Sequence, residues 1–256
     1  MMSAERVVAI IAACRADAAT RRRNTGCIPV GSMYVKYGES EAMVSQIETR
    51  SHFSTAQGGA DKPRIPELIS HFDDGEGTTY VVMTLIKLVE SPPDLDTRRA
   101  DAIKWLATVP APPGHLLGPL GGGCIRHRFF AEWEAPEPYV SVQALKRYLD
   151  KGRRRSYKHR KGFKRTAVTD EKLIFTQTDA DSSHFGVDEH GKTVIMGVGS
   201  ISYLPESFAR YAIMGDDKVG NVPDALSWAG ADQMYTMVRI SGNPWPGCKR
   251  RSREGT

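Results

Sequence analysis

The stretch that most constrains this chain of 256 residues is FTQTDADSSHFGVDEHGKTVIMGVG, residues 175–199. An apolar run leads into a polar loop that carries Asp179 near its centre. Two short apolar runs then flank a turn with an acidic residue and a glycine, which is typical of a β-hairpin. The second run ends in Gly197 and Gly199. We therefore expect a strand, a polar loop, a hairpin and a strand end without side-chain bulk.

The rest of the chain predicts an α+β protein with two lobes. Ser40 is expected to be the N-cap of one helix and Gly152 the end of another, because these residue types favour those positions. Residues 26–38 are expected to form a strand or a hairpin, and residues 67–86 a hairpin. The predicted helices cover residues 3–19, 40–56, 95–108, 141–152 and a segment that begins at Pro205.

These elements divide the chain at a proline-rich linker, residues 91–94. We expect a small strand-rich N-lobe at residues 1–88 and a mostly helical C-lobe at residues 89–244. A basic, disordered tail is expected at residues 245–256. The length is sufficient for two lobes that share a cleft.

Composition and cysteine content narrow the class of protein. Hydrophobic residues make up 40% and charged residues 25%, as in an ordinary globular protein. No apolar run approaches the roughly 20 residues that a membrane-spanning helix needs, so no membrane partner is expected. The four cysteines are scattered, which excludes a Cys-x-x-Cys zinc site and argues against a disulfide framework. We expect an intracellular protein, cytoplasmic or nuclear, with reduced thiols.

The positive charge of the chain is concentrated in one segment. The net charge is +5, yet residues 146–165 hold eleven of the 35 Lys and Arg residues and only one acid. Three interpretations remain open for this segment: a solvated insertion, a nuclear-import or nucleic-acid-binding patch, and a surface that attracts an anionic substrate. Tyr148, Tyr157 and Phe163 lie among the charges and would suit stacking on single-stranded bases.

Several motifs together resemble a known family. They are YVKYG at 34–38, PRIPE at 63–67, VPAPPG at 109–114, GPLGGG at 118–123, the 175–199 stretch and LPESFA at 204–209. As a set they resemble the fungal kinase-like proteins related to aminoglycoside phosphotransferases and choline kinases, over roughly residues 28–215. The resemblance implies a two-lobed, protein-kinase-like fold that binds ATP with Mg²⁺ and transfers a phosphoryl group to a hydroxyl acceptor.

The same resemblance assigns the nucleotide-binding residues to the N-lobe. Lys36 would contact the ATP phosphates, and Glu48 on the following helix would pair with Lys36, a role for which Glu41 competes. Met83 and Thr84 would belong to the hinge, where backbone groups hold the adenine. Taken alone, Lys36 is equally compatible with a solvent-facing charge on a strand, and Met83 with the end of a core strand.

At the catalytic stretch the resemblance is partial. Asp179 occupies the position of the catalytic base. His184 stands where the family has the Asn that binds Mg²⁺, and Gly197 stands where it has the main aspartate ligand. Mg²⁺ prefers oxygen ligands, so a rebuilt site would use His184 and Asp181 with Mn²⁺ or Zn²⁺.

These departures lead to two functional hypotheses. The first is a pseudokinase: a kinase-like protein that binds nucleotide but whose phosphoryl transfer to an unknown acceptor is impaired. The second is a non-catalytic module that holds a nucleic acid or a protein through residues 146–165. The same departures would also arise in a decaying gene copy, which is a third interpretation.

Overall fold

A computed structural model describes residues 2–22, 25–56, 62–156 and 167–241 of the chain. Contacts between Cα atoms divide it into two units. The first unit comprises Met1–Ala102, Leu120–Gly123 and Asp181–Gly199; the second comprises Ile103–Pro119, Cys124–Ala180 and Ser200–Thr256. The lobe boundary at residue 88 stays a prediction, and the predicted tail at 245–256 lies outside the described residues.

A four-stranded antiparallel sheet organises the first unit. Its spatial order is β1-β2-β4-β3. A turn at Gly31, whose φ is +60°, joins the first two strands, and a turn with glycines at 75 and 77 joins the last two. The hairpin predicted at residues 67–86 is therefore confirmed, and residues 26–38 form the hairpin of the two predicted alternatives. The strands are β1 Gly26–Val30, β2 Met33–Glu39, β3 Leu68–Asp73 and β4 Thr78–Thr84.

One helix covers each face of this sheet. Helix α1, Ala4–Arg21, packs on the face that carries Val35 and Tyr37. Helix α2, Ser40–Thr55, packs through Met43 on the opposite face. The prediction that Ser40 is the N-cap was wrong, because α2 begins at this residue, whose N–H and hydroxyl both donate to the Gly77 carbonyl at 3.2 Å.

The 175–199 stretch forms the expected elements. Strands β6, Phe185–Val187, and β7, Thr193–Ile195, make the hairpin, preceded by a 3₁₀ turn at Ser182–His184. Arg64 lies along β7 as a parallel bridge: its N–H donates to the Thr193 carbonyl at 2.7 Å, and its carbonyl accepts from the Ile195 N–H at 2.9 Å.

The second unit is mainly helical. Strand β5, Leu173–Gln177, pairs antiparallel with β8, Ile201–Pro205. An aromatic and aliphatic core includes Phe129, Leu149 and Phe208. The helices that follow α2 are α3 Leu95–Thr108, α4 Val142–Ser156, α5 Glu206–Ile213, α6 Val222–Ala225 and α7 Met234–Ser241.

Two predicted helix ends shift for local reasons. Helix α4 continues past Gly152 to Ser156, because Gly152 lies against Ile240 of α7 and serves close packing: a Cβ there would lie 2.6 Å from Ile240 Cγ2. Pro205 ends strand β8, and α5 begins one residue later. The predicted helix at 95–108 is confirmed as α3. Among the described helices, none is both long and apolar enough to cross a membrane.

Candidate functional site

Strand β2 places Lys36 on the face of the sheet that α2 covers. Lys36 lies between Cys27 of β1 and Val81 of β4 in the register of the sheet. Side chains alternate along a strand, and the neighbours Val35 and Tyr37 are buried against α1. Lys36 therefore points to the other face, where Val81 packs with α2. This is the side from which a helical partner would have to come.

Helix α2 does not present Glu48 to that face. Glu48 and the competing Glu41 are exposed, and within the described chain no ion pair joins either acid to Lys36. Glu48 instead flanks the glycine-rich loop, since a Cβ at Gly121 would lie 3.0 Å from its Cγ. Glu48 therefore lies on the exposed side of α2, and its pairing with Lys36 stays a prediction.

The polar residues that α2 does bury are Gln46, Thr49 and Arg50. Gln46 is 2% exposed and donates to the Met43 sulfur at 3.6 Å. The Arg50 guanidinium donates to the Pro66 carbonyl at 3.0 Å, and burial lowers its pKa to about 10. Sequence reasoning missed Gln46, although its spacing from the buried Met43 and Phe53 marks the inner side of the helix.

The predicted hinge residues are engaged within the sheet. Met83 is buried between Tyr34 and Leu68 in neighbouring strands. The Thr84 N–H donates to the Glu67 carbonyl at 3.0 Å, and its hydroxyl accepts from the Glu67 N–H at 2.9 Å. The next two residues, 85 and 86, lie between this strand end and the antiparallel bridge that joins Leu88 to Asp188.

Asp179 follows the end of β5 in the second unit. Gln177, the last residue of that strand, is fully buried. Thr178 holds the chain in place by donating twice to the Ser200 carbonyl, from its N–H at 2.8 Å and from its hydroxyl at 2.7 Å. Asp179 itself is half-buried. The loop thus presents a carboxylate from a backbone that two hydrogen bonds fix.

Asp181 is used as a cap in the first unit. Its carboxylate accepts from the Ser183 N–H at 2.9 Å at the start of the 3₁₀ turn. Hydrogen bonds from the Ser183 hydroxyl and N–H hold the pKa of Asp181 below its ordinary value. A capping carboxylate is a sufficient structural reason for an aspartate here.

His184 and Gly197, the two positions at which the sequence resemblance is partial, lie against each other. The Met196 N–H donates to the His184 carbonyl at 2.9 Å, which extends the β6–β7 ladder and brings Gly197 beside the imidazole. A Cβ at Gly197 would lie 2.6 Å from His184 Cγ. The space for a side chain at position 197 is therefore already occupied.

This arrangement does not fit Mg²⁺. Mg²⁺ needs oxygen ligands in near-octahedral geometry, and position 197 has neither a carboxylate nor the room for one. His184 offers nitrogen, and the Asp181 carboxylate is engaged at the cap. Across the described residues, no group of three or more His, Cys, Asp or Glu side chains is arranged to hold a metal ion.

Asp188, in the β6–β7 turn, has a structural role. Its carboxylate accepts from the N–H groups of His190 and Lys192, at 3.0 and 2.8 Å, and from the Arg64 guanidinium at 3.0 Å. Burial alone would raise the pKa of Asp188, but these hydrogen bonds outweigh it and hold the pKa below its ordinary value. The carboxylate therefore ties the hairpin turn to the segment that carries Arg64.

Comparisons with known proteins show the fold. The sequence matches no protein-family model and no protein with a curated description. The structure is similar to the crystal structure of aminoglycoside phosphotransferase APH(4)-Ia, with a TM-score of 0.51 and 14% identity over 84% of this chain and 79% of that one.

It is also similar to the GDP complex of aminoglycoside 2'-phosphotransferase-IIIa, with a TM-score of 0.53 and 12% identity over 85% of this chain and 78% of that one. A second structure of this type, solved with GDP and kanamycin, gives a TM-score of 0.50 at 12% identity, with 85% and 78% of the two chains covered. The chain has the fold of a kinase-like phosphotransferase, with a strand-rich N-terminal part and a helical C-terminal part.

Proposed function

We propose that this chain is a kinase-like nucleotide-binding protein in which Mg²⁺-dependent phosphoryl transfer is impaired. The observation that carries the proposal is the contact between His184 and Gly197, which leaves no oxygen ligand and no room at the family's main metal position. Structures of the same fold bind GDP, which supports a nucleotide, with ATP as the expected one.

Lys36 and residues 85 and 86 are the proposed nucleotide contacts. Lys36 stands on the α2 face of the sheet and would meet phosphate charge. The peptide groups of the residues that directly follow β4 would hold the base by backbone hydrogen bonds, in place of those of Met83 and Thr84. Asp179 would orient or deprotonate a hydroxyl acceptor, whose identity stays open.

The loss of the metal position has a large expected cost. A bound cation contributes several kcal/mol to the stabilisation of charge in a phosphoryl-transfer transition state. A deficit of ~4 kcal/mol slows turnover roughly a thousandfold. Formation of ADP from Mg²⁺-ATP should therefore be barely above background, and Asp179→Ala should change it little. Robust Mg²⁺-dependent turnover that Asp179→Ala abolishes would contradict the proposal.

An intracellular location, cytoplasmic or nuclear, is part of the same proposal. Cys14, Cys27 and Cys124 form no disulfide in the described part of the chain. Burial raises the pKa of Cys14 to about 12 and also raises that of Cys27, so both thiols are expected to be unreactive. Labelling of intact protein with a thiol reagent, before and after unfolding, would test this expectation.

A second candidate function is the binding of an anionic partner, and the exposed face of α4 favours it. Positions i, i+4, i+7 and i+8 of a helix share one face. Four exposed cations have this spacing: Arg147, Lys151, Arg154 and Arg155. Asp150, the acid of this helix, is paired elsewhere, at 2.6 Å from Lys146. These four residues define the basic face.

Aromatic residues beside this basic face are predicted to stack on bases. Tyr148 does not serve base stacking, because its ring packs at 5.7 Å from Phe130 and 5.6 Å from Tyr139 in the core. Tyr157 and Phe163 lie outside the described residues. The proposed contact is therefore between the basic face and the phosphates of a nucleic acid.

Salt dependence tests this second candidate. Four phosphate contacts to a single strand predict that log K falls with log salt at a slope of about −3. Replacing the four cations of the basic face by Gln should abolish binding to an oligonucleotide. A matched control replaces four exposed cations elsewhere: Arg6, Arg126, Lys192 and Lys218. Equal affinity of both variants, or binding of anionic lipid vesicles alone, would contradict the candidate.

A further inference from the structure

The backbone at Gly197 does not itself require glycine. Gly197 is absent from the described glycines that have a positive φ, so an L side chain is compatible with its conformation. What excludes a side chain is the imidazole of His184. Its Cγ, Cβ and Cδ2 would lie 2.6, 2.9 and 2.9 Å from a Cβ at position 197. The Cβ and Cγ atoms are at the root of the side chain, so rotation about its outer bond does not relieve the contact.

The second glycine of this strand end is covered in the same way. Gly199 also lacks a positive φ, and a Cβ there would lie 2.9 Å from Gln46 Cδ on helix α2. Val198 between the two glycines is 1% exposed. Side chains from the 3₁₀ turn and from α2 thus pack directly onto the main chain at 197–199, where the family places its metal-binding acid.

We infer that the changes at positions 184 and 197 are one coupled replacement, in which the imidazole of His184 plugs the cation position and a nucleoside triphosphate is bound without a divalent cation. The inference rests on the proposed nucleotide-binding function for its ligand. The coupling between positions 184 and 197 rests only on the contact between His184 and Gly197. An acid restored at position 197 would meet the imidazole, so the reversal requires both positions to change.

Stability measurements test the packing part without any ligand. Gly197→Ala adds one methyl group against the imidazole and should lower Tm by roughly 2–12 °C, as overpacking does in a chain of this size. In a His184→Gly background, which removes both Cβ and Cγ of residue 184, the same change should have little effect. The matched control is Gly199→Ala, which meets Gln46 and should cost the same in both backgrounds. Equal costs of Gly197→Ala in both backgrounds would overturn the coupling.

Nucleotide titrations test the cation part. ATP should raise the Tm of the wild-type protein equally with Mg²⁺ and with chelator. In the His184→Gly, Gly197→Asp double variant, which removes the Cβ and Cγ that would meet the new side chain, the rise should become dependent on Mg²⁺. If the rise in Tm with ATP required Mg²⁺ in the wild type, the inference that His184 fills the cation position would be wrong. It would also be wrong if the rise in the double variant did not depend on Mg²⁺. If ATP stabilises no variant, the proposed nucleotide function fails, while the ligand-free melts still decide the coupling.

Discussion

The resemblance places the two acids of a phosphotransferase site at two strand ends of this protein, and the two ends are built in opposite ways. At the end of β5 the carboxylate of Asp179 is kept, and Thr178 fixes the backbone that carries it. After the end of β7 stands Gly197, and His184 packs into the space that a side chain would need. Under the proposed function, the position that would address the acceptor is retained, whereas the position that would hold the cation is filled. The proposed loss is therefore selective for the cation side of the chemistry.

The largest expected effect concerns the ion pair between Arg64 and Asp188, which ties the β6–β7 turn to the segment that runs along β7. Arg64→Ala leaves the Asp188 carboxylate, whose side chain is 3% exposed, without its cation. Removing one partner of a buried pair costs about 3–5 kcal/mol, and the exposure of Arg64 reduces this to about 1–3 kcal/mol. Urea unfolding would measure the change, with Arg98→Ala as the exposed-pair control. A loss of less than about 0.5 kcal/mol in the free energy of unfolding of Arg64→Ala would show that this ion pair does not stabilise the protein.

The stability contributions of two acids, one in each unit, should change with pH in opposite directions. The pKa of Asp188 is lowered, so its stabilisation is present above the unfolded value of ~3.9 and is lost as pH falls. Burial raises the pKa of Glu171 in the second unit, although Ser207 and Gln233 donate hydrogen bonds to it. Its stabilising contribution is present below the unfolded value of ~4.3 and is lost as pH rises through the folded pKa.

The free energy of unfolding, measured against pH between about 3 and 6, would show the two signs. Asp188→Asn should make the rise of stability with pH shallower, and Glu171→Gln should make it steeper. Slopes that move in the same direction in both variants would contradict the assignment.

At the retained strand end, Thr178→Val should have a moderate effect. The change removes the hydroxyl that donates to the Ser200 carbonyl at 2.7 Å and keeps the volume of the side chain. A typical cost is about 1 kcal/mol, measured by thermal unfolding. The Ser200 carbonyl keeps its bond from the Thr178 N–H, so a loss above about 3 kcal/mol would mean that the loop depends on more than this contact.

The smallest effect is expected at Glu48. Because this side chain is exposed and makes no ion pair to Lys36 in the described chain, Glu48→Gln should change stability by less than about 0.5 kcal/mol. It should also leave ATP binding unchanged. Gln46→Ala provides the comparison, since Gln46 is buried against Gly199. Loss of ATP binding in Glu48→Gln would show that the predicted pair forms when nucleotide is present.

The sequence predicted the elements better than the contacts between them. The hairpins were predictable because turn residues and apolar runs are local signals, and α3 was predicted at its observed bounds. Gly152 was misjudged as a helix end, since its role is to admit Ile240 from a distant helix. The sequence alone does not distinguish a glycine that ends a helix from one that allows a second helix to pack closely.

The candidate site shows the same limit. The resemblance identified positions 36, 179, 184 and 197, but not which face of α2 each polar residue occupies. Glu48 and Gln46 are two residues apart, so they lie on different sides of the helix, and only the packed sheet decides which side faces inward. The contact between His184 and Gly197 depends on the register of the β6–β7 ladder, which neither residue reveals alone.

The most direct test of the central claim is calorimetric titration of the wild-type protein with ATP, once with chelator and once with excess Mg²⁺. A plugged cation position predicts dissociation constants that agree within about threefold, which is less than 1 kcal/mol. Binding that Mg²⁺ tightens tenfold or more, equivalent to about 1.4 kcal/mol, would contradict the claim. It would show that a divalent cation enters the site despite the imidazole at position 184.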